Sequence, residues 1–193
     1  MMTVSYLDPR RASYLVLSAM VVTVVCWVIA GLLDDDWALF EKTLCHLGTS
    51  DILFVRILYP ISCAVIGFGM MLFGYSVAKV CNRKLQAAGY YACILFGISM
   101  LGIGFVNMDY SFNLHMTFVY AMGVTAVMVL MPITVDDLKH GKWALFAFVL
   151  FIAAGFIFFT IVNTDYQQPF TISCMFIWLI IKSVGIIRTG SAY

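Results

Sequence analysis

The chain has 193 residues and a formal net charge of +1; 63% of its residues are hydrophobic and only 11% are charged. Soluble domains carry about 25% charged residues, so this chain has too little polar surface to be covered by water. A nucleic-acid-binding surface is also excluded, because it requires clustered basic residues. With a mean hydropathy of +1.00, the sequence predicts an integral membrane protein in contact with membrane lipids.

Six apolar runs follow along the chain, each near the length of about 20 residues that a helix needs to cross a bilayer. They lie near residues 13–33, 52–80, 86–106, 115–135, 143–162 and 171–187. The apolar residues are continuous and do not alternate with polar ones, which favours helices over strands. The sequence thus predicts an all-α polytopic membrane protein, in which residues 1–193 form one domain, a six-transmembrane-helix bundle.

Basic residues indicate how this bundle is oriented. If the N-terminus is cytoplasmic, nine of the eleven Lys and Arg residues lie on the inner side: Arg10, Arg11, Lys79, Arg83, Lys84, Lys139, Lys142, Lys182 and Arg188. This bias follows the positive-inside rule for short loops. We therefore expect a multi-pass protein of the cell membrane with both termini in the cytoplasm. The outer loops carry most of the acids, either as solvated residues or as a site for a cation.

The first outer loop has the pattern of a short amphipathic helix. Four apolar residues recur on one helical face: Trp37, Phe40, Leu44 and Leu47. Asp36 is placed to cap the start of this helix, and Gly48 is a typical residue at a helix end. We therefore predict an interfacial helix over residues 37–47, with His46 in its final turn.

The start of the second span combines helix-capping residues with one charge. Thr49, Ser50 and Asp51 are candidate N-caps, a structural role that needs no ligand. Arg56 lies inside the span, where a charge is unfavourable unless it extends to the headgroups or finds a partner. Its candidate partners are an outer acid, such as Asp51, Asp109 or Asp165, and a lipid phosphate.

Further polar residues lie between the third and fourth spans. They are Asn107, Asp109, Asn113 and His115, and Asn113 is placed to cap the fourth helix. Together with His46 and Asp51, these residues bring two histidines and two acids to one side of the membrane. Such a set suits a metal ion or an acid–base pair, although interfacial histidines are more often neutral and hydrogen-bonded. We take His46, Asp109 and His115 as the catalytic or metal-ligand candidates. The ligand-binding candidates are Asp51, Arg56, Asn107, Asn113 and Asp165, and the sequence names no cofactor.

The remaining polar residues give little sign of catalysis or transport. No H-E-x-x-H or C-x-x-C motif occurs. Cys45 is the one cysteine in an outer loop, so no disulfide is indicated and we interpret the cysteines as small packing residues. Apart from Arg56, the spans lack buried charge, which lowers the rank of a transporter. A stripe of small residues, Gly89, Cys93 and Gly97, favours close helix packing.

Two segments resemble a known family. The stretches L-G-T-S-D-I-L-F-V-R-I-L-Y-P (47–60) and G-I-G-F-V-N-M-D-Y-S-F-N-L-H (102–115) are similar to the six-span prokaryotic membrane proteins grouped as domain of unknown function DUF998. Their layout is similar to that of the Frag/DRAM/Sfk membrane proteins. The matching positions are Gly48, Phe54, Gly104, Asp109 and His115. Where the family often has serine-x before the leucine-glycine pair, this chain has Cys45-His46. The resemblance implies a six-span fold and no particular activity.

Three functional hypotheses follow. The first is a non-enzymatic membrane module that binds lipid or a membrane protein partner through a polar outer-face site. The alternative is an outer-leaflet lipid hydrolase or transferase that uses His46, Asp109 and His115, with or without a metal. A small transporter ranks below both.

Overall fold

A computed structural model describes residues 7–141, 143–162 and 166–190. Six α-helices follow in order: α1 (Pro9–Leu33), α2 (Leu53–Val80), α3 (Lys84–Phe105), α4 (Phe112–Lys139), α5 (Trp143–Val162) and α6 (Gln167–Thr189). A 3-10 helix, Leu44–Thr49, precedes α2. No strand occurs within these ranges. The prediction of an all-α membrane protein is therefore confirmed.

The helices have the length and composition expected of membrane spans. Within the described ranges, α1, α2, α3, α4 and α6 are long and apolar enough to cross a bilayer. The apolar stretch recognised in α5 is the shorter segment Leu145–Phe158, although the helix itself has 20 residues. Each helix overlaps one of the predicted runs, and α4 continues four residues beyond the predicted end at residue 135.

Contacts between helices define two ends of the bundle. The first-loop end contains the C-terminus of α1, the 3-10 helix, and the N-termini of α2, α4 and α6. The terminal end contains the N-terminus of α1, the α2–α3 connection, and the C-termini of α4 and α6. Leu44 joins α6 at the first-loop end through a hydrogen bond to Gln168, and Asp137 of α4 joins Lys182 of α6 near the other.

Helices α1 to α4 pack closely because small residues lie at their crossings. A Cβ atom at Gly67 of α2 would lie 2.9 Å from the carbonyl oxygen of Gly97 in α3, too close to be accommodated without movement. Gly89 of α3 approaches the backbone of α4 in the same way, at 2.9 Å from the Val129 carbonyl oxygen. Such close approach increases the dispersion contacts between the helices. These contacts matter in a bilayer because the hydrophobic effect does not drive helices together there.

Side-chain hydrogen bonds also join α1 to α2 and fix their relative orientation. The Trp27 indole donates to the Ser62 hydroxyl over 2.9 Å, and the Thr23 hydroxyl donates to the Ser62 carbonyl oxygen over 3.1 Å. Thr23 and Ser62 are buried, so these bonds satisfy groups that lipid would leave unpaired.

The interfacial helix predicted over residues 37–47 is wrong. Residues 35–42 form turns and bends, and the only helical segment is the 3-10 helix Leu44–Thr49, which includes Gly48. Tertiary contacts explain the difference: the Leu44 amide donates to Gln168, and the Trp37 indole donates to the Thr43 carbonyl oxygen over 3.0 Å. Leu44 and Leu47 are buried inside the bundle, Trp37 is half-buried and Phe40 is exposed, so the four residues do not form one face on lipid.

The predicted helix caps are also corrected. The N-cap of α4 is Ser111, whose hydroxyl accepts from the Leu114 amide, while Asn113 is an exposed residue inside the helix. Asp36 caps no helix; its amide donates to the Asp34 carboxylate. At the start of α2, the Ser50 hydroxyl accepts from the Ile52 amide over 3.2 Å.

Candidate functional site

A polar cavity of about 370 Å³ lies at the first-loop end. Four carboxylates line it, Asp34, Asp35, Asp36 and Asp51, together with Lys42 and His46. The cavity forms because the turns after α1 fold back over the start of α2. No ion pair within the described ranges joins Lys42 to these acids. The cavity therefore carries an excess of negative charge.

His46 is an exposed residue at the edge of this cavity. Its Nδ1 atom lies 3.0 Å from the Thr43 hydroxyl, and its carbonyl oxygen accepts from the Thr49 hydroxyl. The structure thus brings together two of the predicted site residues, His46 and Asp51, as lining of one cavity.

The other candidates are dispersed. Asp109 is exposed in the turn between α3 and α4, where the Asn107 side chain accepts from the Tyr110 amide over 2.8 Å. His115 is buried and does not line the cavity, and Asp165 lies outside the described residues. Among the residues that the structure describes, no group of three or more His, Cys, Asp or Glu side chains has the arrangement of a metal site. His46, Asp109 and His115 therefore do not form one.

His115 instead belongs to a cluster that the sequence did not suggest. Its Nδ1 atom lies 2.6 Å from the Val106 carbonyl oxygen, and its buried Nε2 atom has no hydrogen-bond partner of good geometry. The imidazole interacts electrostatically with the Cys45 thiol. The Tyr59 hydroxyl donates to Cys45 Sγ over 3.4 Å.

Four elements converge on Cys45. They are the 3-10 helix that carries it, α2 through Tyr59, α4 through His115, and α6 through Gln168. Burial raises the pKa of the Cys45 thiol, but the hydrogen bonds and the charge of these neighbours outweigh burial and lower the pKa below its ordinary value. The sequence signal for this cluster was the single cysteine in an outer loop; Gln168 carried no signal.

Arg56 lies beside an apolar groove on the outside of α2. The groove has a volume of about 430 Å³ and is lined by Pro60, Ile61, Phe68 and, from α3, Phe105. Arg56 is exposed and forms no ion pair within the part of the chain that the structure describes, so pairing with Asp51 or Asp109 is not observed. The guanidinium group is the one charged group that lines this groove.

The terminal end holds a buried charge network that the sequence analysis missed. Asp137 is fully buried, pairs with Lys182 of α6, and accepts from the Gln86 amide over 3.0 Å. Its neighbour Asp136 pairs with Arg83 at 3.1 Å. The expectation that the spans lack buried charge apart from Arg56 is therefore wrong, because α4 and α6 bring an acid and a lysine together inside the bundle.

Comparisons with known proteins place the chain in a family. No curated protein and no solved structure gives a significant match. A family model described as "Protein of unknown function (DUF998)" matches residues 17–185. Because this match covers most of the 193 residues, the chain belongs to the DUF998 family.

Proposed function

We propose that the protein binds a phospholipid with an amine headgroup in the groove beside Arg56 and in the acidic cavity, without chemical conversion in either. The observation that carries the proposal is Arg56, which lines an apolar groove and has no ion-pair partner within the described ranges. A charged residue inside a membrane span is unfavourable without a partner, and a lipid phosphate supplies one.

The position and geometry of Arg56 suit a phosphate. Arg56 is the fourth residue of α2, which begins at Leu53, so its long side chain extends to the depth of the headgroups. A guanidinium group binds phosphate oxygens through two parallel hydrogen bonds.

The groove suits an acyl chain. From Arg56 to Phe68 it follows twelve residues of α2, or about 18 Å at 1.5 Å per residue. That length is close to one leaflet of the hydrocarbon core, about 15 Å. Its other lining residues are apolar, so an acyl chain in the groove meets no unsatisfied polar group.

The acidic cavity suits the amine. Ile52 lines the cavity and Arg56 lines the groove; they are four residues apart, and the Arg56 amide donates to the Ile52 carbonyl oxygen. Residues at this spacing are neighbours on one face of a helix. A headgroup whose phosphate meets Arg56 therefore has its ammonium group near Asp51 and the other cavity carboxylates.

The same proposal includes six membrane crossings and cytoplasmic termini. Support for the count comes from α4 and α6, which both run from the first-loop end to the terminal end, so α5 must return between them. Its 20 residues span about 30 Å, the thickness of the hydrocarbon core. The distribution of Lys and Arg supports the orientation, in which the lipid comes from the outer leaflet.

Native mass spectrometry of the protein in detergent tests the proposal. Phosphatidylethanolamine, phosphatidylcholine and phosphatidylglycerol with identical acyl chains are titrated separately. We expect phosphatidylethanolamine to bind about tenfold more tightly than phosphatidylglycerol, which has a phosphate but no amine. Arg56→Gln is expected to weaken binding of all three lipids about tenfold, because all three share the phosphate.

Matched controls separate the two contacts. Asp51→Asn should reduce the preference for phosphatidylethanolamine and leave phosphatidylglycerol binding unchanged. Arg11→Gln, an exposed residue near the terminal end, and Asp109→Asn, exposed in the next loop, should have no effect. Equal binding of the three lipids by the wild type, or equal binding by wild type and Arg56→Gln, would contradict the proposal. Selective capture of a membrane protein in place of lipid would do the same.

A further inference from the structure

We propose that Cys45 and His115 form a thiol–imidazole catalytic pair that cleaves the acyl ester of a lipid at the first-loop end. This activity is separate from lipid binding at Arg56 and needs neither His46 nor Asp109. The proposal rests on the position of a buried, unpartnered imidazole nitrogen beside the thiol.

The hydrogen bond to Val106 sets the protonation state of His115. A carbonyl oxygen only accepts hydrogen bonds, so the imidazole Nδ1 atom, 2.6 Å away, must carry a proton. In the neutral ring Nε2 is then the basic nitrogen. His115 is 1% exposed and its Nε2 atom has no partner of good geometry, so the Cys45 thiol is the acid available to it. A base held in one tautomer by a third group is the usual arrangement around a nucleophile.

Two other side chains favour the thiolate. The Tyr59 hydroxyl donates to Cys45 Sγ. Gln168 uses its Oε1 atom to accept from the Leu44 amide over 2.8 Å, which leaves its Nε2 amide as the donor that acts on Cys45. Tyr59 and Gln168 are positioning residues, while Cys45 and His115 are the catalytic residues. The lowered pKa of Cys45 agrees with this arrangement.

The location indicates the substrate class. Cys45 lies eight residues before the start of α2, and His115 lies in the first turn of α4, so the pair is at the boundary of the spans. The ester carbonyls of phospholipids lie at this boundary, between the headgroups and the hydrocarbon core. The chain beside Cys45 is apolar, with its neighbours Leu44 and Leu47 buried. An acyl ester is therefore the electrophile that fits both the depth and the surroundings.

The reaction balances without an external oxidant or metal. The thiol proton moves to Nε2 of His115, and Sγ attacks the ester carbonyl carbon to give a tetrahedral oxyanion. The bond from carbon to the glycerol oxygen then breaks, and that oxygen takes the proton from Nε2. Water next attacks the acyl thioester, with Nε2 taking a proton from water and returning it to sulfur. The net change is one ester and one water converted to one carboxylic acid and one alcohol.

A small alkylating reagent tests the pair first, because Cys45 is only 9% exposed. The protein in lipid nanodiscs is treated with iodoacetamide across a range of pH, and peptide mass spectrometry follows Cys45 and Cys81 separately. Cys81 is less buried, but burial raises its pKa. We expect Cys45 to react at a lower pH than Cys81. His115→Gln should shift the Cys45 profile to higher pH and slow its reaction near neutral pH about tenfold. Tyr59→Phe, which preserves the packing of the ring, should cause a smaller shift in the same direction.

The second measurement follows the acyl group. Nanodiscs that contain a phospholipid with an alkyne-tagged acyl chain are incubated with the protein, and thioesters are released with neutral hydroxylamine. We expect a tagged adduct on Cys45 and release of tagged fatty acid. Cys45→Ser and His115→Gln should abolish both, and Cys81→Ala should change neither.

Several results would overturn the proposal. The first is that Cys45 is alkylated only at the same pH as Cys81 or at a higher pH. The second is that neither His115→Gln nor Tyr59→Phe changes the pH dependence of Cys45 alkylation. The third is that the wild type, although its Cys45 is alkylated, forms no acyl adduct. Alkylation of Cys45 by iodoacetamide requires no lipid bound at Arg56, and Arg11→Gln, exposed near the terminal end, should leave it unchanged. The two proposals can therefore fail independently.

Discussion

At the terminal end, Asp137 is fully buried and pairs with Lys182, whereas at the first-loop end Arg56 is exposed and forms no ion pair within the described ranges. Most Lys and Arg residues lie toward the terminal end, and most Asp and Glu residues lie toward the first-loop end. At the terminal end these charges hold helices to one another: Arg83 pairs with Asp136 across α3 and α4. At the first-loop end the carboxylates instead line a cavity that other molecules can enter.

The difference follows from burial. A buried charge without a partner is strongly unfavourable, so the charges inside the bundle are matched by side chains of neighbouring helices. An exposed charge has water or headgroups as an alternative, and it stays available to a ligand. The two ends are therefore expected to respond differently to loss of a charge: the terminal end in stability, and the first-loop end in binding.

The largest effect on stability is expected at Asp137. Replacing it with Ala removes the buried carboxylate that pairs with Lys182 and accepts from Gln86, so Asp137→Ala should lower the free energy of unfolding by about 3–5 kcal/mol. Unfolding in mixed micelles measures this change. Asp109→Ala, at the exposed turn of the other end, should change it by about 0.5 kcal/mol or less. The double variant Asp137→Leu, Lys182→Met removes both charges and should recover most of the lost free energy of unfolding. If the double variant is no more stable than Asp137→Ala, the ion pair with Lys182 does not explain the loss.

A smaller effect is expected at Tyr59. The hydroxyl donates one hydrogen bond, to Cys45, so Tyr59→Phe should lower the free energy of unfolding by about 1 kcal/mol. The same micelle assay applies. Tyr110→Phe is the matched control, since the Tyr110 side chain is 82% exposed and should contribute little. If Tyr59→Phe lowered the free energy of unfolding as much as Asp137→Ala does, the terminal end would not contribute more to stability than the first-loop end.

The smallest effect is the pH dependence contributed by Cys45. Its neighbours His115, Tyr59 and Gln168 lower the folded-state pKa of the thiol below 9.0, the value expected in the unfolded chain. The resulting stabilisation is fully present above pH 9.0 and is lost as pH falls through the folded-state pKa. The stability of the wild type relative to Cys45→Ser should therefore rise with pH in that window. A flat or falling difference would indicate that the thiol pKa is not lowered.

The sequence allowed the helices to be predicted because each is a long, continuous apolar run. It misled in the first loop, where Leu44 and Leu47 repeat with helical spacing but are buried by the bundle. Local periodicity indicates an apolar face and does not say what covers it. The loop conformation depends on the hydrogen bond from Leu44 to Gln168. These residues are 124 positions apart, so a local sequence pattern cannot predict their contact.

The candidate sites also divide into features that are local in the sequence and features that depend on tertiary packing. His46 and Asp51 lie close in the chain, and the structure places both in the lining of one cavity. The pairing of Cys45 with His115, and of Asp137 with Lys182, depends on helix packing between segments that are distant in sequence. Residue type alone could identify these side chains as polar, but only the packing identifies their partners.

The bond between Leu44 and Gln168 also has a consequence for biosynthesis. It joins residues 124 positions apart, so the first loop is synthesised long before the helix that completes it. Until α6 is inserted, Gln168 cannot act on Cys45, and the loop amide of Leu44 lacks its acceptor. A nascent chain halted before α6 would therefore expose this loop to proteases and thiol reagents, and protection of the loop would mark the arrival of the last helix.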